Sequence, residues 1–76
     1  MLRLHTSDVD GTRGACESEF NDLFSRWKYM GKAKGLDGLR VLEYGVALAE
    51  EVTPGMVAET LRGLPSADVR NVEMKR

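Results

Sequence analysis

The chain has 76 residues, of which 42% are hydrophobic and 30% charged, and its formal net charge is −1. This balance is typical of one small folded domain over residues 1–76, and it argues against binding nucleic acid or membranes through overall charge. The single Cys16 excludes an internal disulfide, and no apolar run approaches the roughly 20 residues of a membrane span, so we expect a cytoplasmic protein without direct membrane insertion.

The first part of the chain predicts a strand, a loop and a long helix. "MLRLHT" alternates apolar and polar residues, with Leu2 and Leu4 on one face, as in a strand. "SDVDGTRG" is rich in Asp and Gly and predicts a loop. In "ACESEFNDLFSRWKYM" apolar residues recur at helical spacing and predict an amphipathic helix. Its stripe consists of Cys16, Phe20, Leu23, Phe24 and Trp27.

The middle of the chain predicts a weak strand and then a clear one. "YMGKAKGLDG" has a faint apolar pattern that allows a strand around Lys28–Lys34, followed by a turn. "LRVLEYGVALAEEV" alternates strictly, which favours a strand over the helix that its Ala, Leu and Glu content would also allow. One face carries Leu42, Tyr44, Val46 and Leu48, and the other carries Glu43, Gly45, Ala47 and Ala49.

The end of the chain predicts a second helix and a last strand. In "EEVTPGMVAETLRGLP", Thr53 fits an N-cap, Pro54 the first helical position and Gly63 the stop. In "ADVRNVEMKR", Val72 and Met74 alternate with polar residues, as in a strand.

The order strand, helix, strand, strand, helix, strand predicts an α+β fold. Two amphipathic helices need a shared apolar surface, and one face of a sheet built from these strands supplies it. Two right-handed β-α-β units interleave into a ferredoxin-like βαββαβ two-layer sandwich, with a four-stranded antiparallel sheet and both helices on one face.

The C-terminal half also resembles a known family. The run "LEYGVALAEEVTPGMVAETLRGLPSADVRNVEM", residues 42–74, has a strand, a Thr-Pro-capped helix, a Leu-Arg-Gly-Leu-Pro exit and a Val-x-x-Val-x-Met strand. This pattern, over about half the chain, resembles small ACT-like regulatory domains, and similar halves occur at the cytoplasmic C-termini of some bacterial membrane proteins. The resemblance implies regulation or self-association, in a complete chain or in a domain of a longer, membrane-tethered protein.

ACT-like domains tend to carry an Asp and a Gly in the loop after their first strand, where a small ligand can be held. Here "DVDG" occupies that place, which makes Asp8, Asp10 and Gly11 the candidate ligand-binding residues. The same letters are also typical of a solvated turn in which the carboxylates bind nearby amides.

A basic cluster lies in the middle of the chain, with aromatic residues between its members. It comprises Arg26, Lys28, Lys32 and Lys34. On a strand, such a pattern could hold single-stranded RNA or phosphate by stacking and charge. A solvated positive edge that discourages aggregation is the other interpretation.

The strand face with Gly45, Ala47 and Ala49 predicts a strip poor in side chains, on which a second sheet could pack closely; a plain solvent-facing strip is the alternative.

Neither the single His5 nor Cys16 belongs to a recognisable catalytic arrangement. We therefore expect a non-catalytic regulatory or interaction domain, without cofactor or metal, that pairs with a second copy or with domains of its parent protein. A small RNA- or phosphate-binding domain using the basic cluster is the alternative.

Overall fold

The computed structural model describes residues 1–75. Within them lie the strands β1, β2, β3 and β4 and the helices α1 and α2. These elements are β1 Leu2–Thr6, α1 Val9–Leu23, β2 Phe24–Lys34, β3 Arg40–Leu48, α2 Pro54–Arg62 and β4 Asn71–Met74. A short 3₁₀ turn, Leu36–Gly38, connects β2 to β3.

The four strands form one antiparallel sheet in the order β2-β3-β1-β4. Strand β1 lies inside the sheet, with Leu4 opposite Leu42 of β3 and opposite Val72 of β4. An antiparallel sheet of four strands together with two helices confirms the predicted α+β class, and it is compatible with a ferredoxin-like fold.

One apolar core joins the sheet to both helices. Its buried members are Leu2, Leu4, Cys16, Phe20, Leu23, Phe24, Leu42, Tyr44, Val57 and Leu61. Because side chains alternate along a strand, Arg3 and His5 lie on the sheet face opposite to Leu2 and Leu4. We call this opposite face, which continues through Glu43 of β3, the open face.

The first helix lies earlier in the chain than the sequence predicted. Helix α1 begins at Val9, inside the predicted loop, and ends at Leu23. Asp8 caps it by accepting a hydrogen bond, 3.2 Å long, from a backbone N–H of the first turn. Thr12 is fully buried in that turn, and its hydroxyl lies 2.8 Å from the hydroxyl of Thr6. The cap and this buried contact outweigh the weak helix propensity of the two glycines in the segment.

Residues 24–34 form strand β2, so the prediction of a helix through Trp27 was wrong. Phe24 already has extended backbone, with φ −125° and ψ 140°. The rings of Phe24 and Trp27 nevertheless pack on Phe20, at centroid distances of 5.1 and 5.2 Å. The same aromatic residues reach one core in a continuous helix and in a helix that turns directly into a strand. The spacing of apolar residues alone therefore does not distinguish these two structures.

The second helix has the predicted ends. The Thr53 hydroxyl accepts a hydrogen bond from the backbone N–H of Met56 at 3.2 Å, and Pro54 is the first helical residue. At the other end, the N–H of Gly63 donates to the carbonyl of Glu59 at 3.2 Å. The capping residues Thr53 and Gly63 therefore set the two ends of α2.

Replacing Thr53 by alanine is expected to lower the free energy of unfolding by about 1 kcal/mol, because an N–H of the first turn loses its acceptor. Thr53→Ser keeps an acceptor oxygen and should remain close to the unsubstituted chain. Urea denaturation of both variants measures the difference. An equal loss in the serine variant would show that the hydroxyl does not cap the helix.

Candidate interaction surface

Charged side chains on the open face link three neighbouring strands. Arg3 of β1 lies between two glutamates, with Nε 3.5 Å from the Glu43 carboxylate of β3 and Nη1 3.3 Å from the Glu73 carboxylate of β4. His5 Nε2 lies 3.2 Å from the other oxygen of Glu73. The glutamate side chains remain about a third exposed, at 31% and 33%, so these pairs contribute little to stability but leave negative charge on the surface.

The predicted small-residue strip lies on the open face at the β2 end of the sheet. In the register of β3 with β2, Gly45 is opposite Lys28 and Ala47 is opposite Arg26. Ala49 lies beyond the end of β3, and its N–H donates to the carbonyl of Leu23 at 3.0 Å. The strip within the sheet is therefore formed by Gly45 and Ala47 alone.

Met30 covers part of this strip, a contact that the sequence pattern does not predict. A Cβ added at Gly45 would lie 3.2 Å from the Met30 sulfur, so the side chain rests directly on the glycine. Met30 is still 57% exposed, and a shallow depression of about 430 Å³ lies between it, Arg26 and Ala47. We call Met30, Gly45 and Ala47 the apolar patch.

Alternation from Lys28 places Met30 on the open face, and a β-bulge follows at this point of β2. The register of β2 shifts between Tyr29, which is opposite Tyr44, and Gly31, which is opposite Glu43. Gly31 has a φ of +126°, which residues with a side chain rarely adopt. A glycine directly after an apolar residue in a strand is the sequence signal that could have indicated the bulge.

The same bulge divides the predicted basic cluster between the two faces of β2. Arg26 and Lys28 pair with Ala47 and Gly45 and lie on the open face. Lys32 pairs with Leu42, a core residue, and therefore lies on the core face of the sheet. Lys34 is opposite Arg40, in register with buried Thr6 on β1, and shares that face.

The aromatic residues between these cations face the core. The Trp27 ring packs on Phe20 at 5.2 Å, and the Tyr29 ring packs on Tyr44 at 5.4 Å. The open face of β2 thus combines positive charge with a methionine, and its aromatic rings are turned to the other side.

The predicted ligand residues form the start of α1. The side chain of Asp8 caps the helix, Asp10 lies in its first turn, and Gly11 is the residue whose N–H the cap binds. A Cβ at Gly11 would collide with the Asp8 carboxylate. The interpretation of this segment as a loop was wrong, because the aspartate that would shape a turn caps a helix instead.

A hydrogen-bonded cluster beside the cap connects β1 to the segment before β4. The Asp68 carboxylate accepts hydrogen bonds from the backbone and hydroxyl of Ser7, and its second oxygen accepts one from Arg70 Nε at 2.8 Å. These contacts hold the pKa of Asp68 below its usual value. The Asp68 N–H in turn donates to the buried Thr12 hydroxyl at 3.1 Å.

A second polar cluster joins α1 to the sheet. Glu17 accepts hydrogen bonds from the Tyr44 hydroxyl at 2.7 Å and from Arg13 Nε at 2.8 Å. The Arg13 guanidinium also lies 3.8 Å above the Tyr29 ring. These contacts join α1 to β2 and β3 and orient the helix on the sheet.

Two buried groups, Tyr44 of this cluster and Cys16 of the core, make the free energy of unfolding depend on pH in the alkaline range. Burial raises the pKa of the Cys16 thiol from 9.0 to about 11, and burial also raises the pKa of the Tyr44 hydroxyl. Both groups stay neutral in the folded chain at a pH where the unfolded chain has begun to ionise. The stability they contribute is therefore complete below about pH 9 and falls as the pH rises towards about 11.

Urea denaturation at successive pH values measures this loss. We expect the free energy of unfolding to be nearly constant from about pH 7 to pH 8.5 and to decrease above that range. Tyr44→Phe removes one of the two groups, so its stability should fall less steeply with pH. A stability that stays level to about pH 11 would contradict the burial of these groups.

Within residues 1–75, no three His, Cys, Asp or Glu side chains form a group that could hold a metal ion. His5 lies on the open face, whereas Cys16 is enclosed in the core on the other side of the sheet.

Neither helix of the described chain is long and apolar enough to cross a membrane. Comparison of the chain with protein-family models, curated proteins and solved structures finds no match.

Proposed function

We propose that this chain is a non-catalytic regulatory or interaction domain that associates with a second copy of itself through the open face. In this proposal the fold is the ferredoxin-like βαββαβ sandwich, with both helices on the face opposite to the interface. The ACT-like pattern of residues 42–74 supports the same class of function, because such domains commonly pair through this face or the adjacent edge.

The observation that carries the proposal is the apolar patch. Met30 is exposed over Gly45 and beside Ala47, with the charged residues Arg26 and Lys28 next to it. An exposed apolar patch with a polar rim is typical of a protein interface. A methionine side chain is flexible and adapts to an opposing surface, and the small residues beside it let that surface approach closely.

The charges around the patch are suited to a symmetric pair. A two-fold axis parallel to the strands, running between β2 and β3, lays β2 of each copy over β3 of the other. Met30 then lies near Gly45 of the second copy, because this axis preserves position along the strands. Lys28 lies two residues along the strand from the row of Glu43, so each copy offers a cation to the other's partly exposed carboxylate.

Regulation in this proposal acts on association. The Asp8 carboxylate, in the position where ACT-like domains hold ligands, already caps α1. The cap lies at one end of β1, in contact with Thr6, so a ligand there would act on the sheet through that strand.

Sedimentation velocity at increasing protein concentration tests the proposal. The sedimentation coefficient is expected to rise from that of a monomer to that of a dimer, and to do so in high salt as well, because the patch is apolar. A monomer at every concentration would overturn the proposal. Salt-sensitive retention of oligonucleotides by that monomer would favour the nucleic-acid alternative instead.

A further inference from the structure

The hairpin of β2 and β3 carries positive charge in a chain that is otherwise acidic. Residues 24–48 contain five Lys and Arg against two Asp and Glu, which gives a net charge of +3. Since the whole chain has a net charge of −1, the remaining residues carry −4. Such an asymmetry within one small domain is typical of a surface that meets an anionic partner.

Three of these cations lie near the turn that connects the two strands. Lys34 and Arg40 are directly opposite each other at the ends of β2 and β3, and Lys32 lies two residues further along β2 on the same face. All three are exposed, and within residues 1–75 no salt bridge joins them to a carboxylate. Because like charges on opposite residues of neighbouring strands destabilise their pairing, the cluster is suited to an anion that neutralises it.

The turn itself carries an exposed leucine. Leu36 is 81% exposed, the highest value among the exposed large hydrophobic residues of the described chain. Two backbone hydrogen bonds close the turn, from the N–H of Gly35 to the carbonyl of Leu39 at 2.9 Å and from the N–H of Leu39 to the carbonyl of Leu36 at 3.0 Å. Asp37 adds a single negative charge beside the three positive ones. Because the backbone closes the turn, the leucine side chain is not needed for packing there.

A leucine between cations fits the surface of an anionic lipid bilayer better than it fits nucleic acid. Anionic headgroups attract Lys and Arg, and an apolar side chain held beside these cations enters the boundary between headgroups and acyl chains. Single-stranded RNA is instead held by exposed aromatic rings on which its bases stack. The rings of Trp27 and Tyr29 pack into the core, on Phe20 and Tyr44.

We propose that the tip of this hairpin, meaning the turn Leu36–Gly38 with Lys34 and Arg40, docks on the surface of an anionic lipid bilayer. The leucine side chain enters the boundary of the acyl chains, and the two cations bind lipid phosphates. The contact is reversible, because one leucine and a few cations give modest affinity. Docking does not depend on the proposed pairing. In that pair the axis is parallel to the strands, so both tips point in one direction and reach the same bilayer.

Co-sedimentation with lipid vesicles tests this inference. The chain is expected to bind vesicles of equal parts phosphatidylcholine and phosphatidylglycerol at low salt, to be released by high salt, and to leave vesicles of phosphatidylcholine alone unbound. A chain that stays in solution with the anionic vesicles at low salt would overturn the inference. Retention of that chain on oligouridylate would assign the cations to nucleic acid instead.

A serine at the tip measures the part played by the leucine. Leu36→Ser removes the apolar side chain and should weaken binding to the anionic vesicles several-fold. Met56→Ser makes a comparable change at an exposed methionine of α2, outside the hairpin, and should leave binding unchanged. Equal binding of the two variants would contradict the entry of Leu36 into the bilayer.

Two double variants separate the hairpin tip from overall charge. Lys34→Gln with Arg40→Gln should weaken vesicle binding by more than about tenfold, because both cations at the tip are lost. Arg62→Gln with Lys75→Gln removes the same charge from exposed positions outside the hairpin and should have little effect. Equal losses in both double variants would show that binding follows net charge, and would contradict docking through the tip.

Discussion

Replacing Phe20 by alanine is expected to lower the free energy of unfolding by about 3–5 kcal/mol. Phe20 is completely buried, and its ring packs edge-on against Tyr44, Phe24 and Trp27, at 4.8, 5.1 and 5.2 Å between centroids. The substitution removes three aromatic contacts and leaves a cavity where α1, β2 and β3 meet. A chain of 76 residues has a total stability of about 4–11 kcal/mol, so the expected loss is a large fraction of it.

Thermal and urea denaturation measure this loss, with Ser18→Ala as the control. Ser18 is exposed on the same helix, and its substitution should change the free energy of unfolding by less than about 0.5 kcal/mol. A Phe20→Ala chain that loses less than about 1 kcal/mol would mean that the aromatic core is not the centre of the fold.

Met30→Lys is expected to abolish self-association while leaving the monomer folded. The new ammonium group would replace an apolar side chain in the contact between the copies, and removing its charge from water there is costly. Because Met30 is more than half exposed, its substitution removes little from the core. Sedimentation equilibrium should then give the monomer mass at concentrations where the unsubstituted chain is dimeric.

Leu36→Lys is the matched control for this substitution. Leu36 is 81% exposed in the turn between β2 and β3, so the same chemical change occurs outside the apolar patch. This control should associate as the unsubstituted chain does. If both variants remain dimeric, or if both become monomeric, the apolar patch is not the specific contact.

Much of the architecture could be predicted from local patterns. Period-two alternation identified β1 and β3, and the Thr53 cap with the Gly63 stop identified α2, because these signals are read from neighbouring residues. The boundary between α1 and β2 could not be read in this way. Phe24 reaches the core equally well as the last turn of a helix or the first residue of a strand, and tertiary packing decides between them.

The candidate site was predictable only in part. Alternation placed Gly45 and Ala47 correctly on the face away from the core. The side chain that lies over them, Met30, is on that face by the same alternation, two residues after Lys28. The bulge at this point adds one residue to β2 and reverses the facing of the residues that follow Met30. For the same reason Lys32 and Lys28 lie on opposite faces of the sheet, although the sequence predicted that both belong to one basic cluster.

The most direct test of association through the open face is an isotope-filtered nuclear Overhauser experiment on a mixture of labelled and unlabelled chains. Intermolecular contacts are expected between the Met30 methyl of one copy and the Gly45 α-protons of the other. Intermolecular contacts confined to the helices, or none at a concentration where sedimentation shows a dimer, would contradict the proposed interface.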